Sequence, residues 1–275
     1  GLTFSFGLNM LTAAPRTERY DRQSMVDLSV VNPTNNRPGA LVFAGRSGYD
    51  SAFQPVAVKP QPNWSMAWNP RGNRKSVLRT AYAMSYQAYP VSNGQWGTRG
   101  FTGHPTYNSS NSQIAYSFLL RDGLPAASRP IPDLQPDAAN QTAGNVLERQ
   151  PRLPRYQSSS VSYEREVSSG FSLTGSLGIA WGRDLYAGLN AINLNAIHPD
   201  LLSYRDQLNN LDFNQSLRPY PQFYGLDTAG LWPVARYRRQ AASIRVEKRT
   251  NAGLSINSTY EYSRQMDDYS GPYGR

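Results

Sequence analysis

Hydrophobic and polar residues alternate with a period of two in about seven segments of the chain, the pattern of strands whose two faces meet different surroundings. The first sets Leu2, Phe4, Phe6, Leu8 and Met10 against Thr3, Ser5, Gly7 and Asn9. A short second sets Trp64, Met66 and Trp68 against Ser65, Ala67 and Asn69. A third, over residues 76–87, opposes Leu78, Thr80, Tyr82, Met84 and Tyr86 to Arg79, Ala81, Ala83 and Ser85. A fourth, over 157–167, places Val161, Tyr163 and Val167 opposite Ser160, Ser162, Glu164 and Glu166, with Arg165 on the apolar side, where a strand end near headgroups would tolerate it. The fifth alternates Phe171, Leu173, Leu177, Ile179 and Trp181 with Ser172, Thr174, Ser176, Gly178 and Ala180. The sixth carries Ala242, Ile244 and Val246, and the seventh Leu254, Ile256, Tyr260 and Tyr262. These segments run from about 6 to 12 residues.

The connections between them alternate short and long. Asn69 to Arg74, Ser168 to Gly170 and Arg249 to Gly253 read as hairpin turns. The other links, residues 12–63, 88–156 and 182–240, each exceed 50 residues and are rich in Pro, Asn, Ser and Tyr. Compact soluble domains rarely carry even one unstructured loop longer than about 15 residues. Short turns on one rim and long loops on the other, joined by strands with an apolar-out, polar-in dyad, are the pattern of an outer-membrane barrel. The expected fold class is therefore all-β: an antiparallel meander of transmembrane β-hairpins, part of a large outer-membrane β-barrel with long extracellular loops. Aromatic strand ends such as Phe171, Trp181, Tyr260 and Tyr262 belong in the interfacial girdles.

Seven is an odd number of strands, whereas bacterial single-chain barrels have even counts and close on themselves. An open sheet would leave two edges of unpaired backbone in lipid, at several kcal/mol per group. Residues 1–275 are thus expected to form a partial barrel domain, with further strands outside the sequence. No stretch approaches the roughly 18 consecutive apolar residues of a transmembrane helix, and position 1 opens directly in strand-like sequence without the n- and h-regions of a signal peptide.

Composition agrees: 22 Gly, 20 Pro and 18 Tyr suit strands and turns, and the lack of cysteine removes disulfides, thiolate metal sites and cysteine nucleophiles. The net charge of +9 is carried mostly by arginines spread along the chain, with no long basic run or nucleic-acid motif, so nucleic acid is not an expected partner. Solvated loops that touch anionic headgroups account for the charge.

Several stretches, in order, resemble the barrel of Oar-like TonB-dependent transporters. Leu2-Thr3-Phe4-Ser5-Phe6-Gly7-Leu8 is followed by Thr17-Glu18-Arg19-Tyr20-Asp21-Arg22 and Pro38-Gly39-Ala40-Leu41-Val42-Phe43-Ala44-Gly45. Lys75 to Tyr82, Arg121-Asp122-Gly123-Leu124-Pro125, Arg218-Pro219-Tyr220-Pro221-Gln222-Phe223 and Val246 to Asp268 continue the likeness over nearly the whole chain. The resemblance implies a large barrel filled by an N-terminal plug, preceded by a carboxypeptidase-regulatory-like domain and energised through TonB. Those N-terminal parts lie outside this sequence. Outer-membrane lipid, the TonB system acting through the absent plug, and an unidentified substrate are the implied partners.

Catalytic chemistry is not expected. His104 and His198 stand in separate loops without HExxH or paired spacing, so no metal site is expected, nor any cofactor. Gly94, Gly97 and Gly100 lack the strand-turn-helix context of a nucleotide loop and read as loop flexibility. Asp267 and Asp268 are adjacent in an extended segment and face opposite ways. The candidate ligand contacts are loop aromatics and an arginine, Tyr89, Trp96, Arg99, Tyr107, Tyr220, Phe223, Tyr224 and Trp232, residue types that build recognition surfaces. Packing of the loops on one another is the plainer role for any one of them. Two readings of other classes compete with the transporter. A β-rich surface adhesion protein would not depend on detergent, and a basic nucleic-acid binder would show steep salt dependence.

Overall fold

A computed structural model describes residues 1–70, 72, 75–89, 97–103, 107, 109, 114–126, 131–146, 152–186, 193–227, 232–250 and 253–268. Eleven strands occur among these: β1 Leu2–Ala13, β2 Ser24–Val31, β3 Pro38–Phe43, β4 Ala57–Trp68, β5 Ser76–Tyr86, β6 Ala143–Asn145, β7 Arg155–Ser168, β8 Phe171–Tyr186, β9 Gly225–Asp227, β10 Pro233–Arg249 and β11 Ser255–Asp267. Seven form one antiparallel sheet in the order β1-β4-β5-β7-β8-β10-β11, so every strand pairs with its neighbour in the meander. The sheet is open, with β1 and β11 each paired on one side only.

The pairing register separates the two sides of the dyad across all seven strands. Leu177 lies opposite Val161 on β7 and Ala242 on β10, and Ala242 opposite Tyr262 on β11. In the other direction Val161 meets Thr80, Thr80 meets Met66, and Met66 meets Phe4. These residues share one face with Leu173, Ile179, Ile244, Ile256 and Tyr260. Ser172, Thr174, Asn257 and Thr259 share the other, as the alternation predicts. Among the described residues nothing covers the apolar face: Phe6 is 65% exposed, Leu177 59% and Tyr260 71%. An uncovered apolar surface seven strands wide fits hydrocarbon and not water.

Aromatics line this face. Phe4 stacks on Trp64 at 6.3 Å and Trp64 on Tyr82 at 6.5 Å. Toward the long-loop rim, Trp181 donates its indole N–H to Gln157 Oε1 (3.0 Å), and Gln157 Nε2 donates to the Tyr82 hydroxyl (2.7 Å), so the polar ends of the girdle satisfy one another. Arg165 lies across from Ser76 and Leu173, toward the short-turn rim, the position that tolerates its charge.

The apolar band is stepped. On β1 it rises to Met10, whereas on β11 it ends at Tyr262, which is in register with Phe4, six residues lower after six strand-to-strand steps. One residue of about 3.4 Å per strand spacing of about 4.8 Å corresponds to a strand tilt of about 35°, within the range of barrel walls. A membrane-parallel band therefore requires tilted strands, and the sequence is written for that tilt.

The strands are longer than the alternation suggests. β8 and β10 run on to Tyr186 and back to Pro233, beyond the roughly 9 to 11 residues that cross a bilayer. Backbone pairing continues there although Arg183, Asp184, Arg236 and Arg238 end the apolar series. On β4 the upper half carries Pro60 and Pro62, which hide the strand from a reading of pattern alone. β5 pairs only with Asn63–Trp68, so both prolines occur where β4 is an edge and their missing N–H leaves no ladder bond unmade on that side.

In the intact protein Leu177→Arg is expected to lower stability by about 2 to 4 kcal/mol, and Ser176→Arg by little. A fluorophore at 177 should be quenched by a quencher carried on acyl chains and one at 176 should not. Equal quenching at both would refute the assignment of faces.

Candidate functional site

The inner face of the sheet is polar, and one row across it is uniformly small. Ser5 pairs with Ser65, Ser65 with Ala81, Ala81 with Ser160, Ser160 with Gly178, Gly178 with Ala241 and Ala241 with Ser263. One register row therefore crosses seven strands with no side chain larger than serine. Longer residues beside it form ion pairs: Arg79 with Glu164 at 2.6 Å, Arg239 with Glu261 at 2.5 Å and Arg245 with Glu247 at 2.6 Å. Solvated pairs of this kind contribute at most about 1 kcal/mol. Their geometric effect is larger, because each long cation is held along the wall by a neighbouring acid.

The described parts of the three long connections, within 14–56, 87–154 and 187–232, fold together into a roof at the same rim. Its core joins Val26, Leu41 and Phe43 from the first, Ala139 and Val146 from the second, and Phe223 and Leu226 from the third. Phe101 packs edge-on against Phe43 at 5.6 Å. A parallel pairing of β6 with β9 joins the second connection to the third, and β2 with β3 makes a hairpin within the first.

Such irregular backbone must find hydrogen-bond partners once buried, and carboxamides supply them. Asn32 Nδ2 donates to Gly39 O (3.1 Å) and Asn140 Oδ1 (2.8 Å). Asn195 Nδ2 donates to Tyr220 O (3.0 Å) and Phe223 O (2.6 Å), and its Oδ1 accepts from Tyr220 N (2.9 Å). Gln222 Nε2 donates to Pro38 O (2.8 Å) and Gly39 O (3.0 Å). The 38–45 and 218–223 segments, far apart in sequence, thus dock on each other, and a Cβ on Gly39 would come within 3.1 Å of the Phe223 ring.

This assembly decides what the loop aromatics do. Phe223 is wholly buried in the roof core, with Tyr220 and Trp232 half-buried against it. Tyr224, beside them, is 58% exposed. Tyr89 is half-buried and donates its hydroxyl to Pro55 O (3.0 Å); burial pushes its phenol pKa up. Tyr107 packs edge-on against Phe118 at 5.0 Å and donates to Pro125 O (3.1 Å). Arg99 donates Nε–H to Ala143 O (3.2 Å). Trp96 and His104 lie outside the described residues. The structure therefore gathers Tyr220, Phe223 and Trp232 into one cluster, while Tyr89, Tyr107 and Arg99 each tie separate stretches of loop backbone together.

Gly94 lies outside the described residues, and Gly97 is closely packed where flexibility was expected. A Cβ on Gly97 would sit 2.0 Å from Ser24 O, and Ser24 N donates to Gly97 O at 2.8 Å, so glycine here permits a close backbone crossing. His198 caps a 3₁₀ segment, its Nδ1 accepting from Asp200 N at 3.3 Å. Asp268 accepts from Arg236 N through its carboxylate. Among the described residues no group of three potential metal ligands occurs.

One acid is tuned. Glu18 accepts from the Arg22 guanidinium at 2.8 Å and from the Arg22 and Tyr20 amides, which together hold its carboxyl pKa at about 2. A depressed carboxyl supports structure above its ordinary pKa and loses that support as pH falls through the folded value.

A family model described as an outer membrane beta barrel domain matches residues 1–275. No curated protein and no solved structure matches the chain.

Two outcomes test the roof. Phe223→Ala should loosen it by about 3 to 5 kcal/mol, opening the 193–227 region to protease while the sheet keeps its resistance to unfolding by detergent and heat. Loss of the sheet as well would show that the two do not fold separately. The turn around Glu18 should keep its amide resonances down through the ordinary carboxylate range and change only near pH 2; a transition near pH 4.5 would contradict the bonding described.

Proposed function

We propose that this chain, which belongs to the outer membrane beta barrel domain family and lies in the outer membrane of a Gram-negative bacterium, is the wall and roof of a TonB-dependent transporter. It acts as a conduit for a substrate and not as a catalyst. The supporting observation is the inner wall. A water-filled channel gains selectivity from large charged side chains projecting into its lumen. Here a continuous row of Ser, Ala and Gly leaves room for another protein surface to approach the backbone, and the neighbouring charges are already paired with one another. Such a wall suits a plug that fills the barrel and is displaced when TonB pulls.

The likeness of ordered segments to Oar-like transporters supports the same reading. The roof supports a receptor role, since a folded cap can select what reaches the lumen. By itself a roof would equally serve a surface binding protein without transport; the smooth inner wall favours the transporter. In the membrane the free edges of β1 and β11 must be paired, because an unpaired edge in hydrocarbon costs several kcal/mol per backbone group.

Residues 1–275 contain no cysteine, so a single one can be introduced there as a probe in the complete protein, with any cysteine elsewhere in it replaced by serine. Ser160→Cys, in the middle of the smooth row, should react slowly with an impermeant maleimide in resting cells and several-fold faster when TonB and the proton-motive force are present. Fast labelling regardless of TonB would indicate an open pore. Slow labelling that never responds to TonB would indicate a sealed, non-transporting barrel. Either result overturns the proposal.

A further inference from the structure

The roof contains a cleft of about 480 Å³ between β2, β3, β6 and the 97–103 segment. Its size falls in the range of small-molecule sites. Arg99 stands at its lining, and its guanidinium is fixed at one edge by the bond from Nε to Ala143 O (3.2 Å). The two terminal nitrogens of the fork have no partner among the described residues. Thr98 and Thr102 share a hydroxyl contact at 3.3 Å within the same lining, and Asn145 adds an unpaired carboxamide. Ser24 also lines the cleft; it is 2% exposed and its hydroxyl has no hydrogen-bond partner. No acidic residue is among the lining side chains.

A fixed guanidinium with a free fork edge matches an anionic oxygen pair in bidentate geometry. The charge count selects between oxyanions. One cation balances a carboxylate, whereas a phosphate monoester with nearly two charges would remain half uncompensated in a cleft whose floor is the buried, apolar Met25 and Leu41. The hydroxyl and amide groups around the arginine suit a ligand body that carries hydroxyls of its own.

We infer that this cleft binds a small hydroxylated carboxylate, held by Arg99 with Thr98, Thr102 and Asn145 around it. This deepens the receptor reading by naming a substrate class for the roof. Binding does not itself require transport, so the two can fail separately: the cysteine labelling above needs no ligand, and the following measurement needs no TonB.

The complete protein, purified from outer membranes in detergent, is titrated calorimetrically with glucuronate, with glucose and with inorganic phosphate. Saturable binding of glucuronate, and none of glucose, is expected. Arg99→Gln should weaken glucuronate tenfold or more, and Asn145→Ala about threefold, with the roof still protease-resistant. If Arg99→Gln disturbs the roof, Thr102→Val replaces it as the test and should weaken binding severalfold without loss of protease resistance. The inference fails if the wild-type protein gives no saturable glucuronate binding, if glucose or phosphate binds as tightly as glucuronate, or if folded variants bind like wild type.

Discussion

Everything in this molecule follows from one requirement: in hydrocarbon every backbone N–H and C=O must be paired within the protein, while the side chains on either side of that pairing face opposite media. The meander of seven strands meets the first half by pairing each strand with its neighbours in the chain. The dyad meets the second. Because side chains alternate with a period of two, register and face are locked together, and a slip of one residue between any pair would turn an apolar row toward the lumen. Seven strands in consistent register are therefore a single commitment and not seven independent ones.

Outside the membrane the constraint relaxes, and the chain solves its backbone bonding another way. Long connections that lack regular ladders are joined by Asn32, Asn195 and Gln222, each buried and each bonded to main-chain carbonyls of a neighbouring segment. Amide side chains carry both donor and acceptor and so can stand in for a missing strand. Around them a small apolar core drawn from all three connections keeps the roof together. The wall is thus held by repetition and the roof by individual contacts.

The wall was legible in the sequence because its rule is local. Alternation over 2–10, 171–181 and 254–262 identifies strands and faces without any knowledge of neighbours. Prolines 60 and 62 broke the pattern and concealed half of β4, and the charged outer ends of β8 and β10 concealed their continuation. The roof was not legible, because its determinants act at a distance: Gly39 matters through Phe223, and Gly97 through Ser24. The segments around Pro38 and Arg218 stand out in sequence, yet nothing in either one says that they touch. Phe223, chosen as an aromatic of a recognition surface, is a core residue for the same reason. Ser24, Thr98, Thr102 and Asn145 carried only one faint signal, the spacing of glycines among small hydroxyl residues at 97–103.

The stagger of the apolar band has a mechanical corollary for the inside of the wall. Hydrogen-bonded rows run perpendicular to the strands, so a tilt of about 35° makes the Ser/Ala/Gly row climb by about 16 Å over its six steps. The smooth track is a ramp, inclined like the thread of a screw. A body that slides while keeping contact with it turns as it advances, so a straight pull along the barrel axis would be converted into rotation by the wall itself.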